Sequence, residues 1–299
     1  MEQITIEAPC KINLSLDIVG KLPNGYHEMD MVMQTVSLYD TLTLSLHPGK
    51  PQITMSCTVE SGAALACDET NIAVRCARAF FEKNGIPLSG SLHIDLVKRI
   101  PMMAGLGGGS ADGAGVLAGL DLLTGAGCSL EQLESIGLAI GADIPFCLRG
   151  GTQRAQGIGE DFSLLPPMPD CPIVIIKPRF GISTKAAFAR CDTAPYTHAD
   201  VQKMIAALST GKTEAIAGAM QNVFEELCSE QEKQQLHDCR QLLLQNGALG
   251  ALLSGSGSAL FGLFDSPQRA LRCTDLLQNH PLLEGAFLCR PVSTGAFSF

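Results

Sequence analysis

No apolar run in these 299 residues approaches the length of a bilayer span. The N-terminus does not set a basic stretch before an apolar one, as an export signal would, but alternates apolar and polar residues, so the cytoplasm is the expected location. No CxxC pair occurs among the 12 cysteines, which are scattered singly in apolar surroundings; neither disulfides nor a structural zinc is expected. Basic charge is short as well. With 21 Lys and Arg against 30 Asp and Glu, the net charge of −9 argues against a nucleic-acid or anionic-membrane partner. An anionic ligand must therefore be held locally, by backbone amides or single cations. Two familiar nucleotide signatures are missing. A dinucleotide fingerprint fails because the sixth residue counted from Gly105 is Ser110, and from Gly107 it is Asp112. A Walker loop fails at Ala206 through Gly211-Lys212-Thr213, which lacks the first glycine and follows a helical run.

What is present centres on residues 101–115, PMMAGLGGGSADGAG. Glycines crowded there let consecutive N–H groups turn into one concavity with no side chains in the way, which suits an anion such as phosphate. A helix from Ser110 to about Leu123 follows, with Ser110 as expected cap and Ala111, Ala114, Leu117, Ala118 and Leu122 as its apolar stripe. Its N-terminus adds partial positive charge to the same concavity.

With 46% hydrophobic and 17% charged residues, a chain of this length can bury two cores, so two domains are expected. From Gln3 to Ile18 apolar and polar residues alternate as one long strand, or two bent at Pro9. Lys11 and Asn13 share its polar face, which either meets water or lines a site. After the turn Pro23-Asn24-Gly25, Tyr26 and His27 put two flat rings on a loop, a pattern that local reading assigns to loop packing. Thr41 to Leu46 reads as a strand with Gln52 to Val59 as its hairpin partner, Asn71 opens a helix closed by Asn84-Gly85, and a strand over Ser91 to Lys98 feeds the glycine loop. Ser129 and Gln132 form a capping box. Asp143 precedes Ile144-Pro145, either as a helix cap or as a carboxylate aimed into a site. Thr152 to Leu164 is extended, and the proline-rich stretch at 164–169 marks a domain junction. Beyond it come a strand over Ile173 to Ile176, a helix opened by Ser183 or Thr184 that displays Phe188, further helices to Gln245, and a tight SGSGS turn between two apolar strands at 250–264. A helix at 268–278 and a strand at 286–291 complete an α+β second half.

Three separated segments, APCKINLSLDI, PMMAGLGGGSADGAG and SGSGSALFGLF, resemble the small-molecule kinase superfamily of galactokinase, homoserine kinase, mevalonate kinase and phosphomevalonate kinase. With KLPNGYHEMD and GADIPF added, the chain is most similar to the branch that phosphorylates the 2-hydroxyl of a cytidine diphosphate-linked methylerythritol in the non-mevalonate route to isoprenoid precursors. The resemblance implies an α+β two-domain kinase: a ribosomal-protein-like α/β domain over 1–168, a ferredoxin-like domain over 169–299, and a site in the cleft between them. It implies ATP, wrapped at its triphosphate by Pro101, Met102, Met103, Ala104, Gly105, Leu106, Gly107, Gly108, Gly109, Ser110 and Ala111. Asp143 would be the base and Lys11 the cation that stabilises migrating charge, with Asn13 placing the acceptor. Tyr26 and Phe188 would enclose the cytosine, His27 would read its edge, and Thr184 would add a polar contact. Mg²⁺ is expected with ATP; its ligands stay open, with Ser110 and Asp112 near enough to serve. A small-molecule substrate is the only implied partner, and the chain is expected to be a monomer or homodimer.

Overall fold

The alternation at the N-terminus builds the longest antiparallel pair in the molecule. In the computed structural model, which describes residues 2–23, 25–62 and 64–297, strand β1 (Glu2–Lys21) runs unbroken against β2 (His27–His47). Three slips in register, at Pro9/Cys10, Asn13/Ser15 and Ile18/Gly20, let so long a ribbon coil. Asn24 of the expected turn lies outside the described residues; beside it Gly25 adopts φ +87° and donates to the carbonyl of Leu22. The two halves of β2 take different neighbours. Thr41–His47 pairs with β4 (Ser91–Lys98), and Met29–Gln34 pairs with β5 (Thr152–Gly157), which forms a hairpin with β6 (Asp161–Leu164).

The expected hairpin between Thr41–Leu46 and Gln52–Val59 is not formed. β3 (Gln52–Val59) lies parallel to β4, which separates it from β2. Parallel neighbours need a crossover, and helix α1 (Ile72–Asn84), capped by Asn71 and closed by Gly85 at φ +62°, supplies it. Helix α2 (Gly108–Thr124) then crosses the sheet, followed by α3 (Leu130–Leu138), with the Ser129/Gln132 capping box in place, and the short α4 (Ile144–Arg149).

The second unit holds the four-stranded antiparallel sheet β11-β7-β10-β9, made by β7 (Ile173–Pro178), β9 (Gly250–Leu253), β10 (Leu260–Leu263) and β11 (Leu283–Cys289). Between β7 and β9 run α5 (Thr184–Cys191), capped by Ser183, α6 (Val201–Ser209), α7 (Thr213–Ala217), the two-residue β8 (Gln221–Asn222), α8 (Phe224–Leu227) and α9 (Glu230–Gln245); α10 (Pro267–Leu277) precedes β11. The molecule is thus α+β with two sheets. Two segments cross back: β8 joins the first sheet beside β1, and the chain after β11 bridges Val36 at Pro291 and donates from Ala296 to the carbonyl of Cys147 on α4. No helix among the described residues is long and apolar enough to cross a membrane.

Candidate active site

From Ala8 to Ile18 both faces of β1 are buried. The apolar face carries Ala8, Cys10, Ile12 and Leu14, and on the opposite face Lys11 is 4% exposed, Asn13 and Ser15 0% and Asp17 4%. A polar face inside a protein must be partnered. Lys11 Nζ donates to Asn13 Oδ1 at 2.7 Å and lies 3.7 Å from Asp143 Oδ2, an ion pair too long for a hydrogen bond. Asp143 occupies the cap position of α4, yet its side chain makes no capping hydrogen bond there. The side chain keeps about a third of its surface open.

The glycine loop closes over this pair. The backbone N–H of Lys11 donates to the carbonyl of Leu106, and a Cβ on Gly107, at φ +69°, would stand 3.1 Å from Lys11 Cγ. Ser110 is not the cap of α2, contrary to expectation. The helix begins two residues earlier, at Gly108, with Gly107 in the left-handed conformation and no side chain over the first turn. The leading N–H groups, which lack intrahelical partners, are therefore left for a ligand. Gly105 meets the SGSGS turn of the second unit: Ser254 Oγ donates to its carbonyl at 3.0 Å, and a Cβ there would come within 2.0 Å of the Ser254 carbonyl oxygen.

Two cavities flank the loop. One, of about 430 Å³, is lined by Leu65, Ala66, Thr70 to Ile72, Lys98, Asp112 and every residue from Pro101 to Ser110. The other, of about 350 Å³, is lined by Lys11, Asn13, Asp143, Thr184, Phe188, Phe224, Ser256 and the apolar side chains of Leu16, Met29, Met31 and Ile158. Gly105, Gly107 and Ser110 border both. A group bound in the first can thus be passed across the loop to a group bound in the second, beside Lys11 and Asp143. Ala111, the last residue expected to wrap the triphosphate, is buried in α2 and lines neither.

The expected aromatic residues divide. Phe188 lines the second cavity, its ring 5.1 Å from His27 and edge-on to Phe224 at 4.9 Å; Thr184 Oγ1 shares a hydrogen bond with Ser256 Oγ. His27 does not line the cavity itself, its Nε2 lying 3.1 Å from Asp192 Oδ1, and Tyr26 stands 61% exposed outside it. The Lys21 ammonium beside Asp192 holds that carboxyl below its ordinary value, with His27 adding to the effect.

One cluster escaped sequence reasoning. Lys98, at the end of β4, places its Nζ 2.5 Å from Asp40 Oδ2 and 2.6 Å from Asp112 Oδ2, all three side chains buried. The other oxygen of Asp40 accepts the N–H groups of Arg99 and Ile100, so this cluster sets where the chain enters the glycine loop. Asp112 Oδ1 has no partner. Burial pushes the Asp112 carboxyl up to about 8 against the pull of Lys98. Lys98 itself is raised: burial opposes its charge, but the two carboxylates outweigh that. A one-to-one i, i+14 pair has no signature in a linear pattern, which is why the cluster is invisible before folding.

The GHMP kinases N terminal domain family matches residues 71–151, and the GHMP kinases C terminal family matches 204–280. A 4-diphosphocytidyl-2-C-methyl-D-erythritol kinase of Lachnoclostridium phytofermentans is 37% identical over 97% of this chain and 98% of its own, and one of Carboxydothermus hydrogenoformans is 41% identical over 97% of each. A crystal structure of 4-(cytidine 5'-diphospho)-2C-methyl-D-erythritol kinase superposes with TM-score 0.77 at 30% identity, covering 96% of this chain and 99% of that one. A homoserine kinase from Cytophaga hutchinsonii shares the fold, with TM-score 0.75 at 20% identity over 99% and 96%. Identity at that level along nearly the whole length of both chains places this chain in the 4-diphosphocytidyl-2-C-methyl-D-erythritol kinase family of the GHMP kinases.

Proposed function

We propose that this chain transfers the γ-phosphoryl group of ATP to the 2-hydroxyl of 4-(cytidine 5'-diphospho)-2-C-methyl-D-erythritol. The observation that carries the reading is the pair Lys11 and Asp143, 3.7 Å apart on the wall of one cavity and separated from the other only by the glycine loop. In this reading ATP lies in the cavity of residues 101–110, its phosphates against the amides that open α2. Asp143 takes the proton of the acceptor hydroxyl, that oxygen forms its bond to the γ-phosphorus, and the bond from phosphorus to the β,γ-bridging oxygen breaks to leave ADP. Lys11 offsets the negative charge as it moves. Such chemistry asks mainly for in-line placement and charge stabilisation, and the two cavities supply both.

Residues 1–168 contribute the loop, Lys11 and Asp143, and residues 169–299 contribute Thr184, Phe188 and the SGSGS turn. The cytidine end of the acceptor stacks on Phe188, with Tyr26 as the second ring, His27, whose ring lies 5.1 Å from that of Phe188, reading the base edge, and Thr184 as a polar contact. Stacking of this kind is worth roughly 1–3 kcal/mol per base. Mg²⁺ fits as an ion held chiefly by the phosphates. No group of three metal-ligating side chains occurs among the described residues; the Ser110 hydroxyl and the unpartnered Oδ1 of Asp112, on residues that both line the first cavity, are the side-chain atoms that would be at hand. Bound there, the ion would neutralise phosphate oxygens. ATP as donor also suits the cytoplasmic location expected from the sequence.

The test is ADP release by the purified protein with Mg-ATP and, in turn, the cytidine diphosphate methylerythritol, homoserine, mevalonate and galactose, alongside Asp143→Asn. Turnover of the cytidine compound alone is expected, with kcat lowered by about 10²–10⁴-fold in Asp143→Asn. Turnover confined to another alcohol would overturn the substrate, and near-normal activity of Asp143→Asn would overturn the base.

A further inference from the structure

Asn222 lies on neither cavity wall, yet it touches the supports of both. It is buried at the end of β8, opposite Leu16 of β1. Its Nδ2 donates to the carbonyls of Leu253 and Gly255 at 2.9 and 2.8 Å, and its Oδ1 accepts the N–H of Phe224 at 3.0 Å. Both amide hydrogens and the amide oxygen are thus used, and the two carbonyls on one side with an N–H on the other dictate which way the amide faces. The two ends lead to different places. Between Leu253 and Gly255 sits Ser254, whose hydroxyl holds the carbonyl of Gly105 in the glycine loop, and a Cβ on Gly255 would lie 3.4 Å from Lys11 Nζ. Phe224 is the floor of the acceptor cavity, edge-on to Phe188.

We propose that Asn222 is a positioning residue for the transfer, its amide nitrogen fixing the SGSGS turn against the glycine loop and its oxygen fixing the aromatic floor under the acceptor. The inference rests on the kinase reading above. It distinguishes Asn222 from an ordinary buried amide because the two halves of its side chain act on different kinetic constants. Asn222→Asp keeps the oxygen that accepts from Phe224 but sets a second oxygen against two carbonyls, so the turn is released while the floor stays. Asn222→Ala loses both.

Steady-state kinetics of wild type, Asn222→Asp and Asn222→Ala on the cytidine diphosphate methylerythritol, normalised to the folded fraction at the assay temperature, test this. Asn222→Asp is expected to lose on the order of 10–100-fold in kcat with the acceptor KM within about twofold of wild type, since misplacement near an ångström has effects of that size. Asn222→Ala is expected to lose similarly in kcat and to raise the acceptor KM several-fold. Unchanged kcat in Asn222→Asp, the same KM shift in both variants, or losses that vanish on normalisation would each overturn the proposal, as would a variant too unstable to assay, because Asn222 would then be structural only. Wild type inactive on the cytidine compound would sink the kinase reading and the inference with it; active wild type with an unaffected Asn222→Asp would sink the inference alone.

Discussion

Asp112 is the residue whose environment most contradicts its chemistry. It is buried, shares one ammonium with Asp40, and has one oxygen with no donor, whereas both oxygens of Asp40 are satisfied. The proton held at Asp112 up to about pH 8 would be released by the unfolded chain near the ordinary carboxylate value. Between those limits the native state binds more protons than the unfolded state, so this group's contribution to stability is full at low pH and is lost as pH rises towards 8. Wild type is therefore expected to lose markedly more stability between pH 5 and pH 8 than Asp112→Asn, which has no proton to hold. Urea midpoints of both proteins at the two pH values measure it, and equal losses would sink the account. At this scale the sequence made Lys11, Asn13 and Asp143 legible as residue types on the right elements. It left open whether the polar face of β1 met water, because alternation reports which residues share a face and not what covers that face.

At the level of elements, α2 is the clearest case of packing overriding propensity. Its residues from Ala111 to Asp121 are all buried, so the stripe read from the sequence is too narrow, and Leu122, assigned to that stripe, is 44% exposed. Glycine inside a helix costs about 1 kcal/mol relative to Ala. Here the sheet demands it: a Cβ on Gly115 would stand 2.5 Å from Leu42 Cδ1 and 3.3 Å from Ala8 Cβ. Gly115→Val is accordingly expected to destabilise the protein by about 2 kcal/mol through overpacking. An unchanged or raised denaturation midpoint would show that the helix has room to move off the sheet. The mistaken hairpin has the same kind of cause. Adjacent strands in sequence usually pair, but β4 interposes itself between β2 and β3, and only a long-range pairing could reveal that.

In the whole molecule, the chain does not divide cleanly into two halves at the proline-rich junction. The segment after β11 returns to the first unit, where Val292 donates to the carbonyl of Thr35, Gln34 Nε2 donates to the carbonyl of Val292, and Ala296 donates to Cys147 of the helix that Asp143 begins. Deleting residues 291–299 is expected to lower the thermal midpoint by several degrees and kcat by about tenfold or more, since loosening α4 moves Asp143 relative to Lys11. Circular dichroism melts and ADP release check the two effects, and a truncated protein with native kcat would detach the tail from the site. The alternation of β1, the caps at Asn71 and Ser129, the glycine loop and the SGSGS turn were determined by the sequence itself, because each depends on residues a few positions apart. Only the tertiary structure decided that the two loops, 149 positions apart at Ser254 and Gly105, would meet over Lys11. It also decided that Phe188 would line the cavity beside Lys11 and Asp143 while Tyr26 stayed outside. Those meetings are products of sheet packing and of buried polar groups finding distant partners, and no local pattern carries them.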